Sequence, residues 1–123
     1  MKQLMTFYST NKEMKRYCLA LDLLNDVELI NEYKKYHENV WPEIIASIKK
    51  AGIKELEIYL ISNRLFMILE VNDSFTFEKK SKFDAENPKV QEWETLMWKY
   101  QQALPCAKKG EKWILMDQIF QLN

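Results

Sequence analysis

Residues that interrupt regular structure are scarce in this chain, which has two glycines and three prolines among its 123 residues. Because glycine and proline are the strongest local breaks in helices and strands, most of the chain is expected to lie in regular elements. A chain of this length suits one domain, and a domain of this size can bury a sufficient core without a metal or a disulfide.

Local patterns of apolar side chains predict four strands, over residues 16–24, 53–61, 65–72 and 112–121. The second and third are separated by the short turn Ser62-Asn63-Arg64, so they are expected to form a hairpin. In the first strand both faces carry apolar groups, as in a strand at the centre of a sheet. Residues 1–15 are expected to be a flexible leader to the single domain of residues 16–123.

Apolar residues at spacings of three and four predict two helical regions, over residues 26–50 and about 75–104. Proline removes a backbone donor and clashes with the preceding turn, so Pro42 is expected to kink or split the first region and Asn87-Pro88 to break the second. Asp26 is a predicted N-cap for the first region, and Asp73 or Ser74 for the second.

The order strand–helix–strand–strand–helix–strand predicts an α+β, ferredoxin-like fold with a four-stranded antiparallel sheet covered by helices on one face. The uncovered face favours a homodimer that packs sheet on sheet, a dimeric α/β barrel, because soluble proteins rarely leave such a surface exposed. In the second strand, alternation places Leu56, Ile58 and Leu60 toward the helices, and Tyr59 toward the partner.

Charge and motif content exclude several function classes. Lys+Arg and Asp+Glu are both 18, so no positive excess favours nucleic acid. Cys18 and Cys106 lack metal-ligand spacing, and no glycine-rich phosphate loop or HExxH motif occurs. The first 17 residues lack the apolar core of a signal peptide, and no stretch approaches the roughly 18 apolar residues of a membrane span. We therefore expect a cytoplasmic protein without nucleic-acid or membrane partners.

The strongest local feature is the spacing of Tyr33, His37 and Trp41, which share one helix face because they are four residues apart. His37 is the one histidine of the chain, and the apolar face should turn it toward the sheet. One interpretation is a core histidine held by a hydrogen bond; the other is a proton-transfer residue in a pocket, since imidazole titrates near neutral pH. Tyr33 is likewise either a core residue or a hydrogen-bond partner of a sugar hydroxyl.

A second cluster lies on the second helical region, where Trp93, Met97 and Tyr100 share one side and Trp98 is adjacent. Such a stripe of aromatic and methionine side chains is typical of a core. Its functional interpretation is a flat apolar wall against which the C–H face of a sugar ring packs.

These residues belong to a series of motifs that resembles the L-rhamnose mutarotase family over about residues 16–122. The motifs are Y-x-x-x-H-x-x-x-W-P-E at 33–43, GI-x(4)-IYL at 52–60, NRLFMILE at 63–70, MWKY at 97–100 and IFQL at 119–122. The resemblance implies a dimeric ferredoxin-like fold. It also implies an enzyme that interconverts the α and β anomers of a 6-deoxy-hexose without cofactor or metal.

By this resemblance the catalytic histidine of the family falls on His37, and a sugar-contacting tyrosine falls on Tyr33. The family's paired tryptophans fall on Met97 and Trp98, and a further sugar-contacting tyrosine falls on Leu56. The departures at Met97 and Leu56 leave two substrates open, L-rhamnose and L-fucose. We expect His37 to donate a proton to the ring oxygen while Tyr33 orients the sugar.

Two other functions fit the same fold. One is a cofactor-free monooxygenase, a class also built on dimeric α/β barrels, which would consume oxygen with an aromatic substrate. The other is a non-catalytic sugar-binding module in which His37 only hydrogen-bonds its ligand. Fold alone does not separate these functions from the mutarotase.

Overall fold

The computed structural model describes residues 14–123, so most of the predicted leader lies outside the described residues. Within them the chain forms five strands and four helices, and Lys15 already belongs to the first strand. In chain order they are β1 (Lys15–Leu23), α1 (Val27–Glu38), α2 (Pro42–Lys50), β2 (Ile53–Ile61), β3 (Arg64–Val71), α3 (Phe77–Glu86), α4 (Pro88–Trp98), β4 (Gln101–Gln102) and β5 (Ile114–Leu115). None of the helices in this part of the chain combines the length and the apolar character needed to cross a membrane.

The sheet is antiparallel, with strand order β2-β3-β1-β4, and β5 also pairs with β1. This order confirms the predicted α+β, ferredoxin-like arrangement. The sheet of the single chain is open and does not close into a barrel. The long β1–β3 and β2–β3 ladders form the rigid part of the sheet, since each spans at least eight paired positions.

The last strand is shorter than predicted. Instead of residues 112–121, only Ile114–Leu115 pairs with β1, and Gln101–Gln102 occupies the same edge further along. Beyond Met116, whose N–H donates to the Cys18 carbonyl at 2.8 Å, the side chains of Ile119 and Phe120 are 95% and 75% exposed. The apolar pattern of residues 117–122 therefore has no partner surface within the described chain.

Both prolines split their helical regions, as the sequence predicts. Pro42 and Pro88 each occupy the first turn of a new helix, where a missing N–H costs nothing. The predicted cap at Asp26 is confirmed, because its carboxylate accepts from the Leu29 N–H at 3.0 Å. The predicted cap at Asp73 or Ser74 is wrong: Thr76 caps α3.

The second helical region also ends earlier than predicted. Helix α4 stops at Trp98 and not near residue 104, because Gln101 pairs with Leu23 in the sheet. Tyr100 is thereby in a turn, and its carbonyl accepts from the Leu24 N–H at 2.8 Å. Long-range pairing has overridden the local helical spacing here.

The core lies between the helices and one face of the sheet. Its buried apolar strand residues are Leu19, Leu21, Leu23, Ile53, Leu65, Leu69 and Val71. Leu56 is paired with Leu69, so it shares this face, as the predicted alternation requires. Tyr59 and Ile61 lie on the opposite, open face and are 54% and 77% exposed.

Candidate functional site

A cavity of about 870 Å³ opens between the helices and the sheet. This volume falls within the range of small-molecule pockets, which are mostly apolar with a few well-placed polar groups. Its walls come from all four helices, the sheet and the segment before β5, and they include Tyr33, His37, Leu56, Met67, Trp93 and Met97. The histidine of the chain thus faces a cavity of suitable size.

Helix α1 fixes the His37 ring through two contacts with the residue one turn earlier. The Nδ1 atom lies 2.8 Å from the Tyr33 carbonyl oxygen, and the two rings stack with centroids 4.4 Å apart. Because a carbonyl can only accept, the Nδ1 atom must be the protonated nitrogen. In the neutral ring the Nε2 atom is then a bare acceptor, free to take a proton from a bound molecule.

Burial sets the charge of this imidazole. It lowers the pKa of His37 below the ordinary value of 6.5, and the hydrogen bond to Tyr33 offsets this shift only in part. The buried indole of Trp93 contributes to the apolar surroundings, with its centroid 5.7 Å from the imidazole centroid. His37 is therefore mainly neutral at pH 7 and is poised to act first as a base.

Tyr33 is the second polar group of this wall. Its side chain is 4% exposed, and its hydroxyl oxygen accepts from Gln101 Nε2 at 3.3 Å. Burial raises the pKa of Tyr33, so the phenol keeps its proton at neutral pH. Behind it, Tyr100 donates to Glu32 at 3.2 Å, and burial followed by the Glu32 charge raises the pKa of Tyr100 to about 12.

Four of the five residues assigned by resemblance line this one cavity: Tyr33, His37, Leu56 and Met97. The fifth, Trp98, is not among the lining residues. Its side chain is 40% exposed, and the Lys112 ammonium lies 4.7 Å from its ring centroid. A cation on an indole face occupies the surface that a sugar would need.

Gln101, Lys112 and Trp113 also line the cavity and are among the lining residues that the sequence did not point to. Lys112 donates to the Glu94 carbonyl at 3.1 Å, and burial lowers its pKa. Trp113 is half-buried and packs against the hydrophobic cluster on each side of the cavity. All three follow α4. Gln101 lies in the predicted second helical region, and Lys112 and Trp113 begin the predicted last strand. Because α4 ends at Trp98 and β5 is confined to Ile114–Leu115, only the folded chain brings these three side chains to the site.

The cavity wall is rich in apolar groups, and its lysines and carboxylates include the ion-paired Lys80 and Asp84 on α3. Within residues 14–123, no three His, Cys, Asp or Glu side chains cluster closely enough to hold a metal ion. The arrangement is suited to proton transfer on a neutral, partly apolar molecule. The imidazole supplies the acceptor, and the Tyr33 phenol supplies a hydrogen bond.

Comparison with known proteins agrees with a site for proton transfer on a small molecule. The model of a family described as L-rhamnose mutarotase matches residues 16–122. An L-fucose mutarotase of Xanthomonas campestris is 44% identical over 112 residues, covering 89% of this chain and 90% of the relative. An L-rhamnose mutarotase of Oceanobacillus iheyensis is 38% identical over 97 residues, covering 76% and 86%.

A solved structure has the same fold. The crystal structure of L-rhamnose mutarotase from Formosa agariphila superimposes with a TM-score of 0.65 and covers 89% of this chain and 99% of that chain. Its sequence identity is 22%, so this likeness concerns the fold alone.

Proposed function

This chain belongs to the L-rhamnose mutarotase family, and we propose that it is a sugar mutarotase that interconverts the α and β anomers of a 6-deoxy-hexose. The observation that carries the proposal is the His37 imidazole in the cavity wall, whose Nδ1 is hydrogen-bonded to the Tyr33 carbonyl and whose Nε2 has no hydrogen-bond partner among residues 14–123. Anomer exchange needs one group that takes and returns a proton near neutral pH, and imidazole meets that need.

The proposed reaction moves one proton between two oxygens on the same carbon. Neutral His37 takes the proton of the C1 hydroxyl while the bond from C1 to the ring oxygen breaks. The resulting imidazolium gives its Nε2 proton to the ring oxygen, which leaves the open-chain aldehyde. Rotation about C1–C2 and the reverse steps close the ring as the other anomer. Positioned acid–base catalysis of this kind contributes about 10²–10⁴-fold.

His37 thus has two roles in succession: it is first the base that takes the C1 hydroxyl proton and then the donor to the ring oxygen. The lowered pKa of His37 means that few molecules carry the imidazolium before the sugar binds. Tyr33 orients the sugar through its phenol, and the buried pair with Gln101 holds that phenol in place.

For the substrate, we propose L-fucose ahead of L-rhamnose. The relative named for L-fucose has the higher identity over the larger share of this chain. Leu56 and Met97 give the cavity an apolar side against which a 6-deoxy methyl group packs. Trp113 is proposed as the flat wall for the sugar ring. Trp98 is not assigned to the sugar site, because the Lys112 ammonium lies over its ring.

We further propose a cytoplasmic homodimer formed through the open sheet face. Two observations support the dimer: Tyr59 and Ile61 are exposed on that face, and Ile119, Phe120 and Leu122 are each at least 75% exposed. An exposed apolar surface of this kind normally marks an interaction site.

Sedimentation of the wild-type protein should give twice the chain mass, and Ile61→Glu should sediment as a monomer. A wild-type monomer would contradict the proposed homodimer.

Saturation-transfer NMR on the anomeric protons tests the function and names the sugar. Wild-type protein should speed exchange between the α and β signals of L-fucose more than those of L-rhamnose, relative to protein-free solution. If both exchange rates stay at the protein-free value, the mutarotase proposal fails for these sugars. Sugar binding without faster exchange would identify a non-catalytic binding module.

A further inference from the structure

Gln101 is an anomaly in the core. Among residues 14–123, the buried polar or charged residues are Asp22 and Gln101, 5% and 7% exposed. The Asp22 carboxylate is paired with Arg64 at 2.7 Å. The Gln101 amide is only half satisfied: Nε2 donates to the Tyr33 hydroxyl oxygen, while nothing in this range reaches Oε1.

Stability alone does not account for an amide at this place. A buried carbonyl oxygen without a partner destabilises the folded state, because it loses its hydrogen bond to water and gains none. A leucine of similar size would avoid that loss and would pack against the same apolar neighbours. What distinguishes the amide from leucine is the bond from Nε2 to Tyr33.

The position of Gln101 suits that bond. Its backbone is fixed by pairing with Leu23 in the sheet, and the preceding carbonyl, of Tyr100, is held by the Leu24 N–H. The amide therefore approaches the phenol of Tyr33 from the sheet side of the cavity. Both residues of β4 pair with β1, so the backbone of Gln101 is held in the sheet next to Tyr33.

Tyr33 in turn contacts His37 at both ends of the residue. Its carbonyl oxygen binds Nδ1 at 2.8 Å, and its ring stacks on the imidazole at 4.4 Å. Helix geometry fixes the carbonyl, but the ring is fixed only by what surrounds it. The amide of Gln101 is the polar group of the described chain that holds its hydroxyl end.

We propose that Gln101 is a positioning residue for the mutarotase reaction: its amide anchors the Tyr33 hydroxyl, so that the phenol lies fixed against His37 and directs its own proton to a sugar oxygen. Because Nε2 donates to the hydroxyl oxygen, the phenol proton points away from the amide. The unsatisfied Oε1 is the structural cost of this anchor. The inference rests on the proposed function, which the tests below separate from it.

The kinetic test compares Gln101→Leu, Tyr33→Phe and the double variant. Gln101→Leu should lower kcat/KM about tenfold, as the loss of one hydrogen bond does, while the thermal midpoint stays level or rises. In the Tyr33→Phe background the same change should cost at most about twofold, because its partner is gone. Gln102→Leu, the exposed neighbour in β4, is the matched control and should keep the wild-type kcat/KM.

Equal loss of kcat/KM in both backgrounds, unchanged activity, or a fall of stability together with activity would overturn the proposal.

An NMR measurement covers the case in which no sugar is turned over. His37 is the one histidine, so its imidazole signals are assigned without ambiguity. They should move in Gln101→Leu, because the stacked Tyr33 ring shifts, and stay in place in Gln102→Leu. Signals that do not move in Gln101→Leu overturn the positioning role, whatever the outcome for the enzyme activity.

Discussion

Replacing Trp93 by leucine should raise the pKa of His37, because burial is the main cause of its depression. Trp93 is 9% exposed and meets the imidazole edge-on, with ring centroids 5.7 Å apart at 66°. A leucine leaves part of the indole volume empty beside His37. Water entering that space solvates the imidazolium, so the pKa should move from its depressed value toward 6.5.

The pKa of His37 can rise by no more than burial has lowered it. Each pKa unit corresponds to about 1.4 kcal/mol in the free-energy difference between the neutral and the protonated imidazole. Because His37 is partly exposed, solvent screening makes its contribution to stability smaller than the pKa shift alone would imply. The lost packing of a buried tryptophan replaced by leucine costs up to about 3 kcal/mol. A domain stability of about 5–15 kcal/mol is sufficient for the variant to fold.

The direction of the pH dependence follows from the lowered pKa. Folding stability linked to His37 is fully present above 6.5, the unfolded value, and is lost as pH falls through the folded pKa. Activity that needs the neutral ring should be flat at neutral pH and fall about tenfold per pH unit below the folded pKa. In Trp93→Leu, this acid limb should move to higher pH.

The assay is a proton NMR titration of the single histidine alongside the pH profile of kcat/KM for anomer exchange. Trp98→Leu is the matched control, a tryptophan of the same helix that is 40% exposed and does not line the cavity. It should leave the His37 pKa unchanged. A wild-type pKa at or above 6.5, or one that Trp93→Leu does not raise, would refute the burial argument.

Three further predictions follow from the fold and the cavity. Gly52→Ala should destabilise the protein by about 1–3 kcal/mol in urea unfolding, since φ is +96° and a Cβ would lie 2.5 Å from Asn72 Oδ1. An unchanged urea midpoint would contradict the positive φ assigned to Gly52. Asp26→Ala should cost about 1 kcal/mol by the same assay, whereas Asp73→Ala should cost almost nothing; equal effects would argue against the assigned caps. Trp113→Leu should raise KM for the sugar about fivefold through lost apolar contact, and an unchanged KM removes Trp113 from the site.

Local patterns in the sequence were sufficient for the half of the site that lies on α1 and β2. Spacing of four residues on one helix places Tyr33 against His37, and strand alternation places Leu56 on the same side. Pro42 fixes the break between α1 and α2 in the same local way. In each case the chain geometry over a few residues determines the outcome.

The other half of the site depends on contacts between distant segments. Gln101 faces Tyr33 only because β4 pairs with β1, a contact that overrides the helical spacing after Trp98. Trp113 reaches the cavity because β5 pairs with the same strand. The apolar alternation of residues 117–122 predicts a strand, but a strand forms only where a neighbour offers backbone partners.

Whether His37 moves the proton is decided by comparing the wild-type protein with a variant that lacks the imidazole. The anomer exchange rate of the preferred sugar is measured by saturation transfer with equal amounts of wild-type and His37→Gln protein, after sugar binding by both is verified. His37→Gln should still bind the sugar but lose about 10²–10⁴-fold of the catalysed rate. A variant that binds and still exchanges the anomers at the wild-type rate would contradict proton transfer by His37.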